Sequence, residues 1–273
     1  MIYDLYEKLL LNKPIKLGNC GYFHNPTINE ILDLDKGFTT YNQWLSLICI
    51  SKKDIQKMLN IEDEVSSFEF LYYNCLNEAV IEAESGIINN DSDSIKNIIL
   101  TALSYFFKEN VLIGNNCFYV KTEDRIIDKD IFDDIVFILK KVNFIKEKDD
   151  RKFKSDLAKQ RYDELLKIRE KIANAGKKEN TRENIYKKSE WVNIISSISS
   201  KHASINLFNS GNLTIYQLID QFKRINMIDE YYISIKSLLA GASKDDVQII
   251  HWSDDIKDKD EEFKKLSEYE GLI

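Results

Sequence analysis

Along most of this chain apolar residues recur every three to four positions, the spacing that lines one face of a helix. In "IYDLYEKLLL" they fall at Ile2, Leu5, Tyr6 and Leu9, predicting a first helix that Pro14 ends. The next stretch, "PIKLGNCGYFH", is β-like and broken by Gly18 and Gly21, so it predicts a small hairpin. "NPTINEILDL" opens a second helix, with Asn25 as its cap and Pro26 in its first turn. "YNQWLSLICIS" continues as helix, and Ser51 and Asp54 have capping-box spacing at the start of another. "SSFEFLYYNCLNEAV" places Phe68, Leu71, Cys75 and Leu76 on one side of a helix.

After the cap-rich "NNDSDS", the run "IKNIILTALSYFF" predicts the most buried helix of this region. "VLIGNNCFYV" alternates between two β-rich runs around Gly-Asn-Asn, the signature of a hairpin. "DKDIFDDIVFILKKV" closes the region as a helix with acids first and lysines last, in accord with its dipole.

The pattern thins over residues 146–190. Phe153, Leu157, Tyr162, Leu165, Leu166, Ile168 and Ile172 leave only a narrow stripe. This segment holds 15 basic and 10 acidic residues, net +5, which leaves −12 for the rest. It reads as a charged helical arm, ended by "NAGKKEN".

Core periodicity returns in residues 191–251. "NLTIYQLIDQFKRI", with Asn212 as cap, and "IDEYYISIKSLLAG", stopped by Gly241, predict two helices joined as an αα-hairpin. The fold class is thus mainly α (α+β). A helical N-terminal module with small β-hairpins spans 1–145, the charged arm 146–190, and a helical hairpin module with an acidic tail 191–273. Two prolines and nine glycines in 273 residues agree with a helical chain.

Charge narrows the function classes. A net charge of −7 argues against a general nucleic-acid binder, which needs a cationic face. The alternative that survives is a nucleic-acid-associated regulator using the basic arm 151–171, where Lys167, Arg169 and Lys171 stand out. Interleaved acids such as Asp163 and Glu170 favour a solvated helix instead. No apolar run reaches the ~20 residues of a membrane span, and "MIYDLYEKLLLNKP" has no leader pattern, so a cytosolic protein without a membrane partner is expected.

The cysteines Cys20, Cys49, Cys75 and Cys117 form no close pair and read as buried free thiols. Asp128, Asp130, Asp133 and Asp134 lack the spacing of an EF-hand and read as helix caps and dipole partners. His202 has serines nearby but no nucleophile elbow. His24 reads as structural, and His251 with Trp252 as an anchor returning the chain onto the preceding helices. No P-loop or dinucleotide fingerprint is present, so an enzyme is not expected, and no catalytic residue, metal or cofactor is implied.

Taken together, "NPTINEILDL", "YNQWLSLICISKKDI", "FEFLYYNCL", "NLTIYQLIDQFKRINMIDEYYISIKSLLAGA" and the closing "IIHW" resemble a family of phage and prophage proteins from low-GC Gram-positive bacteria. Those proteins belong to the tail-morphogenesis module. The resemblance covers both ends of the chain and leaves the charged arm unmatched. It implies a non-enzymatic structural or tail-assembly role, either as a tail or baseplate component or as a tail-assembly chaperone. The implied partners are tube, tape-measure or baseplate proteins, with the chain itself in a homo-oligomeric ring or complex. The implied location is the host cytoplasm during assembly, or the virion tail. Contact candidates are Leu165, Ile168 and Ile172 on the arm, with Tyr216, Phe222, Tyr231 and Trp252 beyond it.

Overall fold

The computed structural model describes residues 2–60, 64–86, 94–145, 190–202, 204–243, 247 and 249–254. The protein is mainly helical with small antiparallel sheets. Met1–Ile145 and Ile194–Ile273 belong to one compact unit, and Lys146–Asn193 to a second. The arm expected over 146–190 lies outside the described residues, apart from Glu190 at its end.

Helix α1 (Ile2–Leu10) turns Leu5 and Leu9 inward. Strands β1 (Ile15–Leu17) and β2 (Gly21–Phe23) pair antiparallel, with Ile15 opposite Phe23, as the glycine-punctuated pattern predicts. Gly21 has a φ of +111°, and a side chain there would collide with Arg125, whose Nη2 lies 2.0 Å from the Cβ position. That arginine clamps the hairpin: Nε and Nη2 donate to the Cys20 carbonyl, and Nη1 donates to both oxygens of Glu109 at 2.7 and 2.8 Å.

Helix α2 (Ile28–Leu32) is capped by Thr27 rather than Asn25. The Thr27 hydroxyl accepts from the Glu30 N–H, and Glu30 Oε2 accepts the Thr27 N–H at 2.8 Å. This reciprocal pair satisfies two orphan donors, which Asn25 is two residues too early to do. Helices α3 (Phe38–Ile48) and α4 (Lys52–Leu59) follow, the latter capped by Ser51 as expected.

Helix α5 (Ser67–Ser85) starts with a second capping box, in which Ser66 and Glu69 exchange bonds. The Ser66 backbone N–H holds the Glu69 carboxyl down to about 2, helped by the Ser66 hydroxyl and Lys129. A carboxyl lowered on folding adds stability above its ordinary pKa near 4.5, and that stability is lost as pH falls through about 2. Glu69→Gln keeps the box but removes the charge. It is expected to flatten the decline of Tm between those two values, read by thermal melts across that window; an unaltered slope contradicts this.

The core forms around α6 (Ile95–Phe107), where Ile98, Ile99, Ala102, Leu103, Phe106 and Phe107 are buried. Phe106 stacks on Phe23 at 5.1 Å and meets Tyr41 and Trp44 edge-on. A second aromatic layer joins Phe68 and Tyr72 to Phe118, with Phe132 against Phe68. The expected hairpin is β3 (Val111–Ile113) and β4 (Phe118–Val120), to which β5 (Ile126–Ile127) adds a third strand. The Tyr72 hydroxyl donates to the Gly114 carbonyl and accepts from the Asn116 N–H, holding the turn.

Helix α7 (Lys129–Val142) is capped by Asp128 and buries Phe132, Ile135, Ile138, Leu139 and Val142. Helix α8 (Glu190–Lys201) buries Ile198. After a 3-10 turn (Ser210–Asn212) comes α9 (Ile215–Leu239).

Here the structure corrects the αα-hairpin. Residues 215–239 form one continuous helix of 25 residues. No Gly or Pro lies between its ends, and Asn226 or Asp229 inside a helix costs less than about 1 kcal/mol, too little to break it. Its cap is Thr214, not Asn212, in a box with Gln217. Gly241 does stop it, at φ +100°, with the Gly241 and Ala242 N–H groups bonded back to Leu238 and Ser237.

The two threonine caps meet. Thr27 and Thr214 form an antiparallel bridge, and the Ile28 N–H donates to the Leu213 carbonyl at 2.9 Å. Gln217 Nε2 donates to the Leu10 carbonyl, tying the start of α9 to the end of α1.

Candidate interaction surface

Helix α9 carries apolar residues on every side: Ile219, Phe222, Ile225, Ile228, Tyr231, Tyr232, Ile233, Ile235, Leu238 and Leu239 follow the first turn. A helix apolar all round is ordinarily buried. Here only Ile215 and Leu218 are buried. Tyr232, Ile233 and Leu239 are 57%, 63% and 83% exposed, and the others are half covered. The first turn is therefore the most deeply buried part of the helix, and the exposed apolar surface is concentrated at Tyr232, Ile233 and Leu239.

The contact candidates divide. Tyr216 is drawn inward, its ring stacked on Phe144 at 5.5 Å, while Lys223 Nζ lies 4.3 Å over the Phe144 ring. Burial pushes the Tyr216 phenol up. Phe222 and Tyr231 are half covered, and Tyr231 touches the rings of Tyr232 and His251. Trp252 is about half exposed beside His251, and its carbonyl accepts from Arg224 Nη1 at 3.1 Å. The chain around 251–254 thus lies along α9 between Arg224 and Tyr231. Leu165, Ile168 and Ile172, with the basic residues of 151–171, lie outside the described residues. Sequence periodicity places Leu239 with Tyr231, Ile235 and Leu238 on one apolar face but does not single out Tyr232 or Ile233; their signal is an apolar pattern too wide for one stripe.

The histidines have local roles. His202 Nδ1 accepts from the Ser204 and Ile205 N–H groups, and His251 Nδ1 lies 2.6 Å from Ser253 Oγ in an exposed turn. His24 lines a cleft of about 330 Å3 with Asn12, Pro14, Asn25, Thr27, Glu30 and Lys108. In that cleft Lys108 Nζ is paired with Glu30 at 2.9 Å. Burial, then Lys108, lowers the His24 pKa.

Of the cysteines, Cys20, Cys75 and Cys117 are buried and Cys49 is half buried, all free. Burial pushes the Cys20 thiol up to about 11, and those of Cys49 and Cys75 to about 12. Asp128 accepts the Ile131 N–H, as a cap should. Burial, then Asp130 and Asp133, raises the Asp134 pKa. Among the described residues no group of three or more His, Cys, Asp or Glu is placed to hold a metal. Nor, among them, is any helix long and apolar enough to cross a membrane.

These features define a mainly helical protein with exposed apolar residues on its last described helix. Residues 161–257 match the family model of the YomV second domain, a phage-derived family. The match includes α8 and α9 and reaches back into the charged segment, where the resemblance of the flanking segments did not extend. It leaves the N-terminal aromatic region uncovered. No curated protein matches the chain, and no solved structure does.

Proposed function

We propose that this protein is a non-enzymatic bacteriophage tail protein, either a tail or baseplate component or a tail-assembly chaperone. It acts through protein–protein contacts. The observation that carries the reading is α9, a helix apolar on all sides that is buried only at its first turn and exposes Tyr232, Ile233 and Leu239. The phage-derived family matched by residues 161–257 supports the phage setting. The partners are tube, tape-measure or baseplate proteins, with further copies of the chain in the same complex. The protein works in the host cytoplasm during assembly, or stays in the virion tail.

The test is quantitative mass spectrometry of gradient fractions from cells assembling the phage, covering free tails, tail intermediates and finished particles. The chain is expected in the tail-intermediate fractions. Retention in finished particles would make it a component, and loss from them a chaperone. A chain found only as free protein, in no tail-containing fraction, would sink the proposal.

A further inference from the structure

The cleft beside His24 draws its polar side chains from three elements. His24 and Asn25 follow β2, Thr27 and Glu30 open α2, and Lys108 ends α6. The backbone beneath them is fixed. The His24 N–H donates to the Phe106 carbonyl at 2.8 Å, and the Thr27–Glu30 box sets the start of α2.

The carboxylate of this cleft is already engaged. Glu30 Oε2 accepts the Thr27 N–H at 2.8 Å and the Thr27 hydroxyl at 3.1 Å, and Oε1 accepts from Lys108 Nζ at 2.9 Å. The donors are not used up. An ammonium carries three N–H bonds, and that of Lys108 spends one on Glu30. Asn25, whose capping place is taken by Thr27, is only 8% exposed, and its Nδ2 has no hydrogen-bond partner among the described residues. A buried amide donor left in this way is rare in a folded protein and calls for an acceptor.

The local field gives the acceptor its charge. At the His24 ring burial acts first, and Lys108 then lowers the pKa by more than Glu30 raises it. The potential there is net positive although an acid and a base both line the cleft, and it favours an anion. An anionic acceptor that answers both a lysine and an amide donor is a carboxylate. The cleft, about 330 Å3, takes a small one.

We propose that this cleft binds a carboxylate, on a small free acid or at the C-terminal end of a polypeptide, with Lys108 Nζ and the Asn25 amide as its donors. The proposal goes beyond the tail reading and stands without it.

Acetate titrated into the full chain at constant ionic strength tests it, with acetamide as the uncharged counterpart. The readout is the imidazole resonance of His24, identified among the three histidines by its loss in His24→Gln. Acetate is expected to move it saturably, with the millimolar affinity of so small a ligand. It is also expected to raise the His24 pKa, because a bound anion favours the charged ring. Acetamide is expected to do neither. Lys108→Gln is expected to weaken acetate at least tenfold. Glu30→Gln keeps the cap but releases Lys108, and is expected to tighten acetate several-fold, which a merely structural role would not produce. Acetyl-trialanine bound at least tenfold more tightly than acetate assigns the carboxylate to a chain end, and an equal affinity assigns it to a free acid. No saturable response to acetate, the same response to acetamide, or an unchanged acetate affinity in Lys108→Gln overturns the proposal.

Discussion

Phe106→Ala is expected to destabilise the protein by about 3–5 kcal/mol, the usual cost of deleting a fully buried phenyl ring. Phe106 is wholly buried at the junction of β2, α3 and α6. Its ring touches Phe23, Tyr41, Trp44 and Tyr105, with centroids 5.1 to 6.3 Å away. Its carbonyl also accepts the His24 N–H, so the backbone there joins the hairpin to the helix. Rigid aromatic neighbours cannot collapse into the space left behind, which keeps the loss near the upper part of the range. Chemical denaturation reads the effect as a lower midpoint at an unchanged slope. Leu11→Ala serves as the control, because Leu11 is mostly exposed and is expected to cost no more than about 0.5 kcal/mol. A loss below about 1 kcal/mol at Phe106 would contradict this description of the core.

Ile228→Pro is expected to cost about 3 kcal/mol or more and to reduce the helical signal in circular dichroism. Residue 228 sits near the middle of α9. Proline there removes the bond from its N–H to the Arg224 carbonyl and pushes its ring into that carbonyl. Were residues 226–229 a turn between two helices, proline at 228 would be tolerated. Ile228→Ala retains the N–H and separates the loss of the side chain from the backbone effect. Equal stability of the two variants would argue for a hairpin and against a continuous helix.

That contrast also shows what was legible in the sequence. The helices with strong periodicity and Ser or Asp caps, α4, α6 and α7, were readable because apolar spacing and cap chemistry agree there. Both hairpins were readable from their glycines and β-rich runs. Strand β5 was not, since two residues hold no alternation. Helix α9 was misread because Asn226 and Asp229 interrupt the apolar stripe and resemble a turn, although neither breaks a helix.

The caps at Thr27 and Thr214 were missed in favour of nearby asparagines. The discriminating signal was present in both places, a threonine followed three residues later by Glu30 or Gln217. The bridge between those caps, which joins α2 to α9, depends on residues far apart in the chain, and no local pattern encodes it. The surface of α9 was half legible. Tyr231 and Phe222 lie on it, whereas Tyr216 is taken up by Phe144.

The central claim is that the exposed apolar residues of α9, Tyr232 and Ile233 among them, bind a tail protein. Affinity purification of the full chain from cells assembling the phage tests it most directly, with the wild type and a Tyr232→Glu, Ile233→Glu double variant compared by quantitative mass spectrometry. Both positions are exposed, so the variant is expected to melt within a few degrees of the wild type. The account predicts that tube, tape-measure or baseplate proteins co-purify with the wild type and fall at least tenfold with the variant. Equal recovery with both chains, or no phage protein with either, would contradict it.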